Sequence, residues 1–503
     1  MKNPVLSLNG ITKRFGTLTA NDDISLQLGQ GEILAFLGEN GAGKTTLMNI
    51  LFGHYVPDAG TVHVHGKELP AGRPRAAIDA GIGMVHQHFT LAPNLTVLEN
   101  IITGTESLWR FRSDRAGALA KISSIAERFG LKVDPNARLG DLSVGEQQRV
   151  EILKALYNDA NILILDEPTA VLTTQEAEKL FATLKEMARQ GLSLIFISHK
   201  LHEVMSAADR IVVLRGGKVV AERAAKETSK DELAELMVGR RVARPSRRPA
   251  TPGETAIKAQ GVTVVEGKAT RLDEISFSVR EGETLGIIGV SGNGQAMLGH
   301  LLSGLVRPAS GTLQLFGEPV TTYDPRHFVS IGIGRIPEDR NTDGAIGDLM
   351  IWENTILERL RDPVFCRKGL VDRSAARQFS GRIIKEFDVR GGTPDSRIRL
   401  LSGGNMQKLI LGRNLETRPR ILIAAQPTRG LDEGAVAAIH ARILAARDQG
   451  AAVLLISEDL DEILRLADRV QAIVKGRLSP PIDAGSADAK KLGLMMAGEW
   501  GLN

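Results

Sequence analysis

The stretch GEILAFLGENGAGKTTL, residues 31–47, decides the fold of the first half of the chain. Its apolar part, EILAFLG, has the length of a buried strand, and the pattern GxxxxGK[ST] follows, with helix-forming residues after it. Between a strand and a helix this pattern binds phosphate, because its backbone N–H groups close around phosphate oxygens. The sequence therefore predicts a nucleotide-binding loop over Gly38–Thr45.

The side chains of this loop have separate expected roles. Lys44 neutralises the β- and γ-phosphates, and Thr45 holds magnesium through its hydroxyl. The N-terminus of the following helix adds the positive end of its dipole.

The chain carries the same plan twice. Residues 31–47 correspond to GETLGIIGVSGNGQAML at 282–298, LSVGEQQRV to LSGGNMQKL, and ADRIVVLRGGKV to ADRVQAIVKGRL. Gly38 and Gly289 are 251 positions apart, whereas Ser143 and Ser402 are 259 apart, so the second copy has eight additional residues before LSGGN. Strands that alternate with helices in each copy predict an α/β fold with a largely parallel sheet. At 503 residues, two domains are expected, at 1–239 and 254–503, joined by a linker at 240–253.

Composition limits the class of protein. Charged residues make up 24% and hydrophobic residues 43%, as in an ordinary globular chain. We find no apolar run of transmembrane length and no signal-peptide pattern, and therefore expect a cytoplasmic protein. The single cysteine, Cys366, excludes an intramolecular disulfide framework and offers no metal-site spacing. The basic segment RRVARPSRRPATPG, 240–253, is interpreted as a solvated linker, with a nucleic-acid or anionic-lipid contact as the alternative.

In ILILDEP, residues 162–168, two adjacent carboxylates follow an apolar run that is typical of a buried strand. Asp166 is expected to hold magnesium, indirectly or through water, and Glu167 to orient and polarise the attacking water. The alternative, that the pair only marks a turn after a strand, is weakened by ISHK, whose His199 follows the next strand and can contact the γ-phosphate. Ser143 and Glu146 have capping-box spacing, which explains those two residues but not Gly145.

These motifs resemble those of ATP-binding cassette ATPases over nearly the whole chain. The resemblance implies two tandem P-loop NTPase domains, each with a mainly parallel sheet core, a helical subdomain and a small antiparallel β subdomain. It also implies that Phe15 stacks on adenine and that Gln87 reports on magnesium and on the membrane partner. The alternative for HQH, a metal pair of His86 and His88, has no further ligand cluster to support it.

The second copy lacks every chemical group that the first retains. The replacements are Phe15 by Glu266, Lys44 by Gln295, Thr45 by Ala296, Gln87 by Glu338, Asp166 by Ala425, Glu167 by Gln426 and His199 by Glu458. Two features are retained in the second copy and altered in the first. The second copy has both glycines of LSGGN, where the first has LSVGE with Val144, and it has Asp432, where the first has Thr173.

In the cassette family two domains clamp ATP head to tail, so the phosphate loop of one meets the signature motif, here LSGGN, of the other. The resemblance thus predicts one hydrolytic site, site one, with Lys44, Glu167 and His199 as its catalytic residues and Thr45, Gln87 and Asp166 as its magnesium residues. The ATP-binding residues of site one are Phe15, Gly38, Glu39, Asn40, Gly41, Ala42, Gly43, Lys44, Thr45, Thr46, Gln87, Ser402, Gly403, Gly404 and Asp432. The degenerate site two comprises Gln295, Ala296, Glu338, Ala425, Gln426 and Glu458 with Ser143, Val144, Gly145 and Thr173.

A finer resemblance concerns MVHQHFTLAPNLTVLENI, DEPTAVLT, IPEDR, LSGGNMQK and AAQPTRGLD. These segments are similar to the tandem ATP-binding subunits of bacterial sugar and nucleoside importers, and GNGQ with AAQPTRGLD is more similar to the nucleoside branch. The resemblance implies ATP and Mg²⁺ as cofactors, two permease subunits, and an external solute-binding protein or lipoprotein. It places the chain peripherally on the cytoplasmic face of the inner membrane, without nucleic acid. The resemblance also implies that the helical segments after Gln87 and Glu338 form the surfaces that couple to the permeases. The eight extra residues of the second copy would make these two surfaces unequal, which suits a heterodimeric permease.

Two other functions stay open. One is a simple-sugar importer ATPase. The other is a ribosome-associated tandem cassette factor, although such factors generally have two complete sites and a long, charged helical linker. A DNA-repair cassette needs zinc ligands that one cysteine does not supply.

Overall fold

A computed structural model describes residues 4–39, 41–86, 90–105, 114–169, 172, 174–198, 200–239, 245, 247–267 and 269–500. The chain divides into two compact units, Met1–Val242 and Ala243–Asn503. No helix in these ranges is both long and apolar enough to cross a membrane.

Unit 1 combines two sheets with eight described helices. Its strands are β1 Leu6–Phe15, β2 Leu18–Leu28, β3 Ile33–Leu37, β4 Ala59–Val64, β5 Lys67–Glu68, β6 Ile82–Val85, β7 Ile162–Asp166, β8 Ser193–Ile197, β9 Arg210–Arg215 and β10 Lys218–Ala224. Its helices are α1 Lys44–Leu51, α2 Pro74–Asp79, α3 Val97–Ile102, α4 Arg115–Phe129, α5 Val144–Tyr157, α6 Thr174–Arg189, α7 Leu201–Ala207 and α8 Lys230–Val238.

The larger sheet of unit 1 brings the predicted site together. Its order is β10-β9-β3-β8-β7-β6, and every pair except β10-β9 is parallel. All residues of β3, β7 and β8 are buried, as expected of strands covered on both faces. Asp166 is in register with Ile197, and Ile197 with Phe36, so these three strands end at the same edge. Ligands of open parallel sheets bind at this edge.

Unit 2 repeats the architecture. Its strands are β11 Thr255–Glu266, β12 Ala269–Arg280, β13 Thr284–Ile288, β14 Ser310–Leu315, β15 Glu318–Pro319, β16 Ile333–Ile336, β17 Cys366–Arg367, β18 Leu370–Val371, β19 Ile421–Ala425, β20 Ala452–Ser457, β21 Arg469–Val474, β22 Arg477–Leu478 and β23 Ile482–Asp483. Its helices are α9 Gln295–Leu301, α10 Pro325–Ser330, α11 Ile351–Ile356, α12 Arg373–Glu386, α13 Gly403–Leu415, α14 Glu433–Asp448, α15 Leu460–Leu466 and α16 Ala489–Met496. The large sheet has the order β16-β19-β20-β13-β21-β22, with β23 also paired to β21.

Each unit also has a small antiparallel sheet, ordered β2-β1-β4-β5 in unit 1 and β12-β11-β14-β15 in unit 2. Helices α3 to α5 pack on one another in unit 1, and α11 to α13 do so in unit 2. The predicted α/β fold with a parallel core, a helical part and a small antiparallel part is therefore confirmed.

The structure locates part of the difference in length between the copies. Thr96, the N-cap of α3, corresponds to Met350, the N-cap of α11, at an offset of 254 rather than 251. Three of the extra residues thus fall between Glu338 and Met350, in the stretch that contains a π-helical turn, Arg340–Gly344. Single π-helical turns are rare, and those that do occur are frequently found at functional sites.

Part of the predicted linker is attached to unit 2. The buried Arg447 donates from Nη2 to the carbonyl of Arg248 at 2.8 Å, and its Nη1 lies 3.3 Å from Asp468. Arg247 also approaches Asp468, at 3.6 Å. Residues 240–244 and 246 of the linker lie outside the described residues.

Candidate functional site

The predicted phosphate loop of unit 1 connects β3 to α1. Gly43 has a left-handed backbone, with φ of 99°, and a Cβ there would lie 2.1 Å from the carbonyl oxygen of Ala20. Only glycine fits this position. The Lys44 Nζ donates to the carbonyls of Gly38, at 2.7 Å, and Glu39, at 2.9 Å. The lysine therefore lies inside the loop that it is predicted to serve.

The carboxylates predicted from ILILDEP lie beside this loop. Asp166 ends β7 and is buried, and the Thr45 side chain hydrogen-bonds to it. Burial raises the pKa of Asp166 to about 6, and Glu167 adds to the rise, while Lys44 and the Thr45 hydrogen bond lower it. The structure thus brings Lys44, Thr45, Asp166 and Glu167 into one electrostatic group.

The backbone holds Glu167 in an uncommon conformation. Its φ is 46°, and its N–H donates to the carbonyl of Ile197 at 3.1 Å. A left-handed non-glycine residue is strained, and such residues cluster at functional sites.

The donors beside the loop fit a magnesium ion. Thr45 and Asp166 offer a hydroxyl and a carboxylate, the hard oxygen ligands that Mg²⁺ prefers. Among the described residues there is no group of three or more His, Cys, Asp or Glu side chains that could form an all-protein metal cage. Mg²⁺ in nucleotide sites is commonly held by one or two protein groups and the substrate phosphates, so the small donor set fits.

The corresponding loop of unit 2 has the same shape and a different chemistry. Gly294 has a φ of 116°, and the side chain of Gln295 fills the position of Lys44. The Gln295 amide donates to the carbonyl of Val290 at 2.8 Å and accepts from the N–H of Asn293 at 2.9 Å. A neutral side chain therefore makes hydrogen bonds inside this loop, at the position where unit 1 has the Lys44 ammonium.

Residues 21–170 and, again, residues 272–429 match the family described as ABC transporter. The chain belongs to the ABC transporter family.

Relatives in this family match almost the full length. The nucleoside import ATP-binding protein NupA of Lactococcus lactis is 42% identical over 98% of each chain. The guanosine import ATP-binding protein NupO of Bacillus subtilis is 44% identical over 98% of this chain and 97% of its own. The glucose import ATP-binding protein TsgD13 of Haloferax volcanii is 42% identical over 99% of this chain and 96% of its own.

Among solved structures, the chain is similar to the archaeal ribosome recycling factor aABCE1, whose structure is a complex with ribosomal stalk protein aP1. The similarity covers 94% of this chain and 90% of aABCE1. Its TM-score is 0.63 at 18% identity, so the similarity shows the fold alone.

The two signature regions of this ABC transporter family member differ in their hydrogen bonds. In unit 1 the predicted capping box is present, and the Ser143 hydroxyl donates to Glu146 at 2.7 Å. In unit 2 the Ser402 hydroxyl instead accepts from the Asn405 amide at 2.9 Å. The Ser143 hydroxyl is thus bound to a local carboxylate, whereas the Ser402 hydroxyl is bound to a local amide.

The other signature positions also differ. The side chain of Val144 is 41% exposed at the start of α5, whereas Gly403 and Gly404 begin α13 without side chains. Asp432 caps α14 through a hydrogen bond from the N–H of Ala435, at 2.9 Å.

Of the remaining predicted residues of unit 1, some lie in the described part of the chain and others do not. Phe15 ends β1 with 45% of its surface exposed, in edge contact with Tyr55 and under the Lys13 ammonium. Gly41, Ala42 and Thr46 lie in the loop and the first turn of α1. Asn40, Gln87, Thr173 and His199 lie outside the described residues.

The substituted residues of unit 2 lie in corresponding positions. Gln426 follows β19 with a φ of 46°, equal to that of Glu167, and its side-chain oxygen accepts from the N–H of Glu458 at 3.4 Å. Ala296, Glu338 and Ala425 line one small cavity with Gln295. The backbone of the predicted catalytic residue is therefore retained in unit 2 without its carboxylate.

Sequence reasoning missed a buried glutamate behind the site. Glu203 of α7 accepts from Thr169, at 2.7 Å, and from Ser198, at 2.8 Å, and so joins the loops after β7 and β8. Unit 2 has the same contact between Thr428 and Glu462, at 2.7 Å. The signal was available in the sequence, since Thr, Ser and Glu recur at the offset of 259. The contact between threonine and glutamate is present in both units, whereas the predicted catalytic and magnesium-binding side chains are present only in unit 1.

Proposed function

We propose that this chain is the ATP-hydrolysing subunit of an importer, with one competent and one degenerate nucleotide site. The observation that supports this most strongly is the contrast between the two sheet edges. Lys44, Thr45, Asp166 and Glu167 form one group in unit 1. At the corresponding positions unit 2 has two amides and two methyl groups on the same backbone.

The groups of unit 1 account for the chemistry of hydrolysis. The loop N–H groups and Lys44 hold the β- and γ-phosphates, and Thr45 and Asp166 hold Mg²⁺, which neutralises charge on the phosphates. Glu167 orients a water molecule and accepts its proton while the water oxygen bonds to the γ-phosphorus and the bond to the bridging oxygen breaks. ADP and phosphate leave. His199 contacts the γ-phosphate, and Phe15, which is exposed, stacks on adenine.

We also propose that unit 2 completes this site, with Ser402, Gly403, Gly404 and Asp432 binding the ATP held by unit 1. Neither Gln295 nor Gln426 can replace the charge of Lys44 or the carboxylate of Glu167, so site two does not turn over. Its cradle persists because unit 2 must fold and present its signature motif.

We infer that the imported solute is a nucleoside. The names of NupA and NupO, at 42% and 44% identity over nearly the whole chain, support this inference. The complete importer then contains two permease subunits, which we propose to form a heterodimer, and an external solute-binding protein or lipoprotein. This chain binds the permeases at the cytoplasmic face of the inner membrane, without nucleic acid.

A sugar is the second candidate solute. TsgD13, a glucose import protein, is 42% identical over 99% of the chain, which supports it almost equally. A role on the ribosome has only the similarity of fold to aABCE1, at 18% identity.

Two measurements test the proposal. Cells that lack this chain are complemented with wild type or with Glu167→Gln and assayed for uptake of labelled nucleosides, pentoses and hexoses. Loss of nucleoside uptake that only wild type restores is expected. Loss of sugar uptake alone would assign the chain to sugar import, and unchanged uptake of all three would exclude the importer role.

The second measurement is ATP turnover by the purified chain. Glu167→Gln is expected to lower it by about a hundred- to a thousand-fold, as removal of one preorganised catalytic group does. Gln426→Glu, the matched change in unit 2, is expected to leave turnover within a few fold of wild type. Equal and severe effects of both variants would contradict the division into competent and degenerate sites.

A further inference from the structure

The stretch after β16 in unit 2 contacts the signature motif of its own unit. It contains Glu338, the residue found in place of Gln87, and continues into the π-helical turn Arg340–Gly344. This is the stretch that is three residues longer than its counterpart in unit 1.

The guanidinium of Arg340 makes two contacts that join separate loops. Its Nη1 donates to the carbonyl of Arg429 at 2.8 Å, in the loop that leads to Asp432. Its Nη2 lies where a side chain at Gly403 would be, since a Cβ there would be 2.7 Å from that nitrogen. The same nitrogen would lie 3.6 Å from a Cβ on Gly430. One side chain therefore contacts both loops that are predicted to meet ATP from unit 2.

A second arginine closes the connection. Arg429 pairs through Nη1 with Glu338 at 2.9 Å. The series Glu338, Arg429, Arg340 and Gly403, which we term the arginine brace, runs from the degenerate site to the signature motif. Replacement of the glutamine by Glu338 supplies the carboxylate that this series requires.

The adjacent Asp339 attracts Arg340 electrostatically but forms no ion pair with it. Asp339 uses its carboxylate to cap the π-helical turn, accepting from the N–H groups of Asn341 at 2.8 Å and Thr342 at 3.3 Å. Among the described carboxylates, none forms an ion pair with Arg340. Its planar fork is thus held by a carbonyl and by packing against glycine, a geometry that suits arginine and not lysine.

Unit 1 differs at the position that the brace contacts. Val144 stands where Gly403 stands, and its side chain is 41% exposed. A side chain at residue 403 would displace the Arg340 guanidinium. The brace is therefore compatible only with the glycine signature of unit 2, which is the one proposed to complete site one.

We propose that Arg340 is a positioning residue for ATP hydrolysis at site one, because it fixes the signature motif and the Asp432 loop in one arrangement. The stretch from Glu338 to Gly344, which corresponds to a part of site two, then positions residues of site one. This inference rests on the proposed function, in which unit 2 completes site one. Because the brace acts on unit 2, it affects closure on ATP and not the first binding of nucleotide to unit 1.

The test compares Arg340→Ala, Arg340→Lys and Arg429→Ala with the control Arg420→Ala in the purified full-length chain. Arg420 is as exposed as Arg429, 56% in each case, and forms an ion pair with Glu281 at 3.2 Å. It precedes β19, at the opposite end of the strand from Gln426. For each variant we measure kcat, KM for ATP, affinity for ADP and the melting temperature.

Arg340→Ala is expected to lower kcat by about tenfold, a typical effect of one lost hydrogen bond to a charged group. ADP affinity and melting temperature should stay close to those of Arg420→Ala. Arg429→Ala should lower kcat in the same direction, and Arg340→Lys should not restore it. Full activity of Arg340→Lys would show that only charge matters and would overturn the positioning role, as would equal kcat for Arg340→Ala and Arg420→Ala.

A double-mutant cycle adds a readout that folding alone does not move. Gly403→Ala should lower kcat less in the Arg340→Ala background than in wild type, because the displaced guanidinium is already absent. Additive effects would contradict the contact. Glu167→Gln is measured in parallel, so that retained turnover in that variant identifies failure of the proposed function and not of the brace.

Discussion

Lys44→Gln should separate the two tasks of the lysine in the phosphate loop. The chain already contains the folded form of such a loop, because Gln295 occupies the corresponding position in unit 2. Both side chains are 6% exposed. Lys44 donates to two carbonyls, at 2.7 and 2.9 Å, whereas Gln295 donates one hydrogen bond of 2.8 Å and accepts one of 2.9 Å. The amide therefore matches the number of hydrogen bonds but not the charge.

The magnitudes follow from these contacts. Lys44→Gln replaces two charge-assisted hydrogen bonds by two neutral ones and removes a buried charge, so the free energy of unfolding should change by no more than about 1–2 kcal/mol. Lys44→Ala removes the lysine donor from the buried carbonyl of Gly38 and one of two donors from the carbonyl of Glu39, which still accepts from the N–H of Ala42 at 3.1 Å. It should cost about 2–3 kcal/mol, since an unpaired buried group costs about 1–3 kcal/mol and a lost hydrogen bond about 1 kcal/mol. Turnover should fall by about a hundred- to a thousand-fold or more in both variants.

The assay is urea unfolding of the purified chain with ATP turnover on the same samples. The expected pattern is an inactive Lys44→Gln protein whose free energy of unfolding lies within about 1–2 kcal/mol of wild type, beside an inactive Lys44→Ala protein that is less stable than Lys44→Gln. Equal destabilisation of the two variants would refute the comparison with Gln295. Retention of more than about a tenth of wild-type turnover by Lys44→Gln would refute the electrostatic role of the lysine.

Three further predictions concern stability. Arg447→Ala should destabilise unit 2 by about 3–5 kcal/mol in urea unfolding, because it leaves Asp468 and the linker carbonyl of Arg248 without their buried partner. Arg247→Ala should cost less than about 1 kcal/mol. Similar losses in the two variants would contradict the attachment of the linker through Arg447. Ser143→Ala should cost about 1 kcal/mol through loss of the α5 cap. Hydrogen bonds from Ser143 hold the pKa of Glu146 below its ordinary value, so the stability that Glu146 contributes is present above its unfolded pKa and is lost as pH falls through the lower, folded pKa. Unfolding of wild type and Glu146→Gln should converge as pH falls below about 4, and a constant difference down to pH 3 would contradict this.

Much of the candidate site follows from local sequence. The apolar runs before Gly38, Asp166 and Ser198 predict β3, β7 and β8, and the structure has these strands at Ile33–Leu37, Ile162–Asp166 and Ser193–Ile197. Glycine at residue 43 follows from a backbone that admits no side chain. Parallel strands bring their carboxyl ends to one edge, so the order of the motifs already implies that their side chains meet.

The sequence by itself determined the repeat, the α/β class, the family resemblance and the loss of chemical groups from the second copy, because apolar periodicity, glycine spacing and residue identity are local properties. The tertiary structure alone decided which side chains pair: Glu203 with Thr169 and Ser198, Arg447 with Arg248, and Arg340 with Arg429 and Gly403. The partners of Arg340 lie far along the chain, after several intervening helices and strands. Spacing in sequence does not encode contacts of this kind, since they depend on how whole elements pack and on which loops then come within reach of a planar guanidinium.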